Sequence, residues 1–227
     1  MKSIIRSFSV PTEFCLVTFI GFGITIAGTL VWLIDHLATI PTGPTALRLD
    51  NAGIMEGVVL RVVTLSIVLW IGSVRGWSLA TFGLRLSWKG TVAGVLLFLA
   101  FLLIQRLLGF LTREVFHSTV DFHRAIALTV PFIILISIVN PVFEEALECG
   151  YFFQALQSRG MWITVLASAT FRGFLHANMG ISGFVFMFVE GLLHGFFYWR
   201  WRQLWPLILA HALQMLYSLL PRALAAS

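Results

Sequence analysis

Charge is what this chain has least of. Only 11% of its 227 residues are Asp, Glu, Lys or Arg, against about 25% in soluble domains. So few charges cannot cover a solvated globular surface, and the mean hydropathy of +0.93 points the same way. Long polar linkers, low-complexity tracts and internal repeats are missing too. Nothing therefore divides the chain, and residues 1–227 are expected to form a single membrane domain. Cysteine is nearly absent. Cys15 and Cys149 both fall in apolar stretches, which predicts no structural disulfide. Basic residues outnumber acidic ones, for a formal net charge of +5. They sit in short loops, so they carry topology information rather than a nucleic-acid footprint.

What the chain does have is a succession of apolar runs. They predict an all-α, polytopic transmembrane helix bundle of about seven spans, near Phe14–Ile34, Gly57–Ser73, Thr91–Phe110, Ile126–Gln157, Trp162–Ala177, Ile181–Tyr198 and Leu204–Leu220. Each approaches the ~20 residues that cross hydrocarbon. The fourth is longer and contains Pro141, which predicts a bend. The first is too long for a signal-peptide core and is expected to be retained.

Lys2, Arg6, Arg75, Arg85, Lys89, Arg159, Arg200 and Arg202 all fall on one side of a seven-span arrangement. This predicts a cytoplasmic N-terminus. Trp77, Trp88, Trp162, Trp199, Trp201 and Trp205 gather at the same boundary, as an interfacial belt does.

The informative residues are the polar ones inside the runs. Glu144, Glu145 and Glu148 lie in the fourth span, where each ionised carboxylate costs about 2.5–3.5 kcal/mol at the bilayer centre. Glu144 and Glu148 share a face at i,i+4, with Glu145 ~100° round the helix. Arg172 and His176 in the fifth span have the same i,i+4 spacing, as do Glu190 and His194 in the sixth. His211 and Gln214 stand at i,i+3 in the seventh. Such faces turn toward one another rather than toward lipid. Depths agree with this: ~22 Å from the basic boundary for Glu144, ~21 Å for His176 and ~13 Å for His211, at about 1.5 Å per residue. A buried site among the last four spans is therefore expected.

Two carboxylates and two imidazoles suit hydrolysis by either of two routes. A divalent ion such as zinc, held by His176, His211 and Glu144, can activate water. Alternatively, a glutamate acts as general base while histidines stabilise an oxyanion. The Glu190–His194 pair, Gly191 and Gly195 read more simply as packing contacts.

The order of motifs resembles a family. Glu144-Glu145 followed by Gly150-Tyr151-Phe152-Phe153-Gln154-Ala155-Leu156 looks like the first motif of the CPBP intramembrane proteases, the CAAX prenyl protease and bacteriocin-processing (Abi) proteins. His176-Ala177-Asn178-Met179-Gly180 resembles the second motif. Gly191-Leu192-Leu193-His194-Gly195 and Leu204 to Leu213 resemble the third and fourth. The resemblance covers residues 125–220, a protease core, and leaves residues 1–124 as divergent N-terminal spans.

It implies an intramembrane endopeptidase acting on a membrane-embedded or lipid-anchored peptide. Glu144 would activate water, Glu145 would support it, and His176 and His211 would bind a metal or the oxyanion. Asn178 and Gln214 would face substrate. The expected setting is a lipid bilayer, such as a bacterial inner membrane, with no nucleic-acid partner.

Three departures stand out. Cys149 occupies the place of the family's usual Arg, Arg172 that of a Phe, and Met215 that of an Asn. They predict that Arg172 reaches across to Glu145 or Glu148. They also keep open a catalytically impaired binding or scaffold protein, and beyond it a proton-coupled transporter.

Overall fold

The computed structural model describes residues 10–36, 49–116 and 126–226. Its helices are α1 (Val10–Asp35), α2 (Asn51–Val74), α3 (Trp88–Phe116), α4 (Val130–Glu145), α5 (Phe152–Leu156), α6 (Met161–Leu175), α7 (Gly180–Trp201) and α8 (Trp205–Ala226). The π-helical turn Ala146–Tyr151 joins α4 and α5 without a break. Helix thus occupies every stretch expected from the sequence. Among the described residues, five stretches are long and apolar enough to cross a membrane: Thr12–Asp35, Asn51–Val74, Trp88–Leu111, Val130–Arg159 and Ala177–Trp201.

Local sequence explains the starts of α2 and α4. Asp50 caps α2, accepting from the backbone N–H of Gly53 at 2.9 Å. Pro131 occupies the first turn of α4, where its missing N–H costs nothing. α4 therefore begins at Val130 rather than Ile126. Ile126–Ala127 instead pairs in parallel with Leu49–Asp50 as a two-residue bridge, tying the entries of α2 and α4 together. α4 continues through Pro141, and the departure from α geometry comes five residues later, at the π turn.

The loops after α2, α5 and α7 converge at one end of the bundle. The Leu204 N–H donates to the Gly83 carbonyl at 3.0 Å, and the Tyr198 hydroxyl to the Phe82 carbonyl at 3.0 Å. Gln154 donates to the Thr81 carbonyl at 3.1 Å, and the Trp205 indole to the Thr91 hydroxyl at 3.0 Å. Arg75 at the end of α2 pairs with the buried Glu13 of α1 at 2.6 Å. The basic residues Arg75, Arg159 and Arg202 thus share one end, as the sequence predicts.

Side chains such as Phe19, Ile24, Leu96, Leu103 and Ile138 point outward, the face a lipid-solvated bundle presents. The main core joins Phe22, Phe143, Leu147, Phe152, Phe153, Val165, Leu204 and Leu207. α6 and α7 pack most closely at Gly191, where a Cβ would lie 2.7 Å from the Ala169 Cα. Only a glycine permits that approach, and it draws Arg172 and Glu190 into one plane of the bundle.

Candidate active site

α6 spans only 15 residues, ~22 Å at an α-helical rise, and stops short of a full crossing. Its C-cap is His176, with φ −109° and ψ 8°. The chain then makes a 3₁₀ turn, Ala177–Met179, and re-enters α7 at Gly180, whose φ of 80° suits glycine. Irregular backbone at such depth persists where it lines a protein cavity. Met179 lines both cavities here, and Asn178 lines the second. His176 is thus the pivot of a turn inside the protein rather than a residue within a continuous span.

The two adjacent glutamates have different surroundings. Glu145 is fully buried. Its Oε1 meets Arg172 Nη2 at 2.5 Å, His211 Nδ1 at 2.9 Å and His194 Nδ1 at 3.2 Å. Arg172, itself 1% exposed, also donates through Nε to Glu148 Oε2 at 2.5 Å and approaches Glu190 Oε1 at 3.5 Å. One guanidinium therefore joins acids from α4, the π turn and α7. Glu148 shares Arg172 with Glu145 and takes no part in the Glu144 wall. This corrects the face expected from a regular helix, because the π turn begins directly after Glu145 and resets the phase. Ser168 donates to the Glu148 carbonyl at 2.8 Å, fastening that turn to α6.

Glu144 faces a cavity of about 720 Å³. Its Oε1 accepts from Asn140 Nδ2 at 2.8 Å, one helical turn back, and its Oε2 lies 3.8 Å from His211 Nε2. His176, His211, Gln214 and Asn140 share the cavity wall. A second cavity of about 740 Å³, between α1, α2 and the α6–α7 turn, is also walled by Glu144 and His176, with Asn178.

The hydrogen bonds fix the histidine tautomers. His176 Nδ1 lies 2.9 Å from the Arg172 carbonyl, which can only accept, so this nitrogen carries a proton. His211 Nδ1 faces a carboxylate oxygen of Glu145 and carries one for the same reason. Each Nε2 is then an acceptor when the ring is neutral and a donor when the ring takes a second proton.

Metal-binding histidines are commonly oriented by a bond of this kind from the far nitrogen. Yet among the described residues no group of three or more His, Cys, Asp or Glu side chains gathers where an ion would bind. The tautomers suit a metal, but the spacing of these described side chains does not close a shell around one. Cys15 and Cys149 are free thiols, the second buried beside this cluster.

Comparison with known families places residues 126–216 in the family described as type II CAAX prenyl endopeptidase Rce1-like. The similarity covers 91 of the 227 residues, all in the C-terminal part of the chain. Curated proteins and solved structures give no match. The matched Rce1-like segment contains Glu144, Glu145, Arg172, His176, Asn178, His194, His211 and Gln214. It marks the protein as related to membrane proteases of the CAAX type.

Asn140 and Arg61 lie outside the residues singled out from sequence, and two residues named there take a different part. Asn140 was legible at i−4 from Glu144. His194 and Glu190, read as packing residues, join the Arg172–Glu145 cluster. Arg61, a lone cation in the run Val58-Val59-Leu60-Arg61-Val62-Val63, lines both cavities. It belongs to the N-terminal half, outside the Rce1-like segment.

Proposed function

We propose that the protein is an intramembrane endopeptidase in which Glu144 activates water to hydrolyse a peptide bond of a membrane-embedded or lipid-anchored substrate. The observation that carries this reading is the split between the two glutamates. Glu145 accepts from Arg172, His194 and His211 through Oε1 alone, and its Oε2 is sealed from the cavity without a partner. Glu144 keeps Oε2 toward the cavity and His211.

Asn140 holds the other oxygen of Glu144, fixing the carboxylate plane toward bound water. Glu144 takes the water proton as the oxygen attacks the scissile carbonyl, then delivers it to the leaving amine. His211, held by its Nδ1–H on Glu145, brings Nε2 beside Glu144 and, with a second proton there, donates to the developing oxyanion; neutral His176, its proton on Nδ1, offers Nε2 as an acceptor to the attacking water. Glu145 and Arg172 position His211 and do not touch substrate. Gln214 and Asn178 contact the peptide from opposite cavities.

Cys149 and Met215 favour a catalytically impaired binder as the second reading. Two contacts weigh against it. Arg172 brings a guanidinium to the acids from α6, and Asn140 brings an amide to within 3.8 Å of Met215 Sδ while bonded to Glu144. We place the N-terminus in the cytoplasm, in a bilayer such as a bacterial inner membrane.

Wild-type protein and the Glu144→Ala and His176→Ala variants, assayed on membrane-spanning peptides with and without chelator, test the reading. Cleavage lost in both variants supports it, and sensitivity to chelator would assign the water to a metal such as zinc. Binding without cleavage by the wild type favours the impaired relative. Proton-coupled flux with neither favours a transporter.

A further inference from the structure

Arg61 poses a problem that the protease site does not solve. It stands roughly ten residues into α2, ~15 Å from the Asn51 end of a 24-residue helix and so near mid-bilayer depth. An arginine there requires a partner or a wet cavity. No carboxylate among the described residues forms an ion pair with it, and its buried Nε has no hydrogen-bond partner. Its guanidinium lies 6.0 Å from the Phe143 ring centroid, next in sequence to Glu144.

The guanidinium is also accommodated by design of the helix. A Cβ at Gly57, one turn earlier, would sit 2.7 Å from Arg61 Nη1, so this glycine leaves room for the side chain to fold back along α2. Arg61, Glu144, His176 and Met179 are the residues common to both cavities. The two cavities therefore meet at the reaction point, with Arg61 as a cation beside it. The first continues past Gln105 and Arg106 of α3. The second is lined largely by apolar and glycine positions of α1, including Phe19, Gly21 and Ile24.

We propose that Arg61 is the anion-binding residue of this cleft and that it receives a carboxylate of the peptide substrate. This rests on the peptidase reading and names a requirement of its substrate. A guanidinium pairs with a carboxylate through two parallel N–H donors. The carboxylate can be a chain terminus or an acidic side chain. A lipid phosphate offers similar chemistry but resides at the headgroups, about 15 Å from the centre of the hydrocarbon. In this arrangement the peptide's apolar segment occupies the α1 cavity, and Arg61 sets the distance from its carboxylate to the bond presented to Glu144.

The test measures binding without turnover, using Glu144→Gln protein in phosphatidylcholine nanodiscs. The probes are three versions of one leucine- and alanine-rich peptide of about ten residues, which as a helix reaches from the interface to the depth of Arg61: a free C-terminal acid, a C-terminal amide, and an amide carrying a glutamate near that end. The acid should bind at least about tenfold more tightly than the plain amide, the scale of one charge-assisted contact. Adding Arg61→Gln should erase the difference, whereas Arg61→Lys should retain part of it. Gly57→Ala, which displaces the guanidinium and keeps its charge, should reduce it. Tight binding of the glutamate peptide assigns a side-chain carboxylate, and weak binding assigns the terminus; both support the proposal. Equal binding of all three peptides overturns it, as does selectivity that survives Arg61→Gln or is abolished by added phosphatidylglycerol. If the wild type fails to cleave while selective binding persists, the peptidase reading alone falls. Cleavage without carboxylate selectivity removes only the role given to Arg61.

Discussion

Glu144 and Glu145 are neighbours in sequence and opposites in environment. Glu145 is sealed among Arg172, His194 and His211, and its relative exposure is 0%. Glu144, at 9%, meets a cavity and one amide donor. One peptide step separates a residue that ties four helices together from one that faces a cavity. The difference teaches that adjacent acids in a membrane need not share an environment: the buried member bonds the imidazole that also approaches the cavity-facing member.

Substitutions on the two sides should separate stability from activity. The largest effect is expected for Arg172→Ala, which strands Glu145 and Glu148 in the interior. Breaking a buried ion pair from one side costs about 3–5 kcal/mol, so detergent-solubilised protein should melt well below wild type or fail to accumulate. Cys149→Arg in that background should restore part of the loss, because position 149 is buried one turn after Glu145. A folded double variant with no recovery would separate the guanidinium at 172 from the one the family places at 149.

His211 touches both sides, at 2.9 Å from Glu145 and 3.8 Å from Glu144. His211→Ala should lower cleavage by about 10²–10³-fold and stability by about 1–3 kcal/mol. A purely structural histidine would move only the melting temperature. Asn140→Ala should lower kcat more than it raises KM, by about tenfold, with about 1 kcal/mol of stability lost. Unchanged kcat would remove Asn140 from the positioning of Glu144.

Glu190→Gln should have the smallest effect, because it removes a buried charge whose oxygens have no hydrogen-bond donor and whose desolvation offsets its attraction to Arg172. Its contact with Arg172 is the longest of the three at 3.5 Å, and neither carboxylate oxygen finds a hydrogen-bond donor. A collapse on this substitution would show that the clamp extends further into α7 than Glu145 and Glu148.

The sequence carried much of this, for identifiable reasons. Apolar runs near 20 residues located helices at all seven stretches, although α6 is only 15 residues long and five stretches reach crossing length and hydropathy. The cost of intramembrane charge singled out Glu144, Glu145, Arg172, His176 and His211, and the structure gathers them. The departure at Cys149 foretold that Arg172 would reach across the bundle, and it binds both acids rather than one.

Other features were not legible. A π turn has no residue signature, so the face of Glu148 was misplaced. Which histidine partners Glu145 depends on helix rotation, and His194 joins because the Gly191–Ala169 approach brings α7 close. Arg61 could have been noticed as an isolated cation in an apolar run, but only the fold reveals that α2 carries it to the junction of two cavities.

The most direct test compares Glu144→Gln with Glu145→Gln, measuring peptide cleavage and thermal stability on the same purified samples. Glu144→Gln should fall in cleavage by about 10²–10⁴-fold while melting within a few degrees of wild type. Glu145→Gln should lose stability together with activity. Retained cleavage by Glu144→Gln, or equal destabilisation by both substitutions, would contradict the division between the two glutamates.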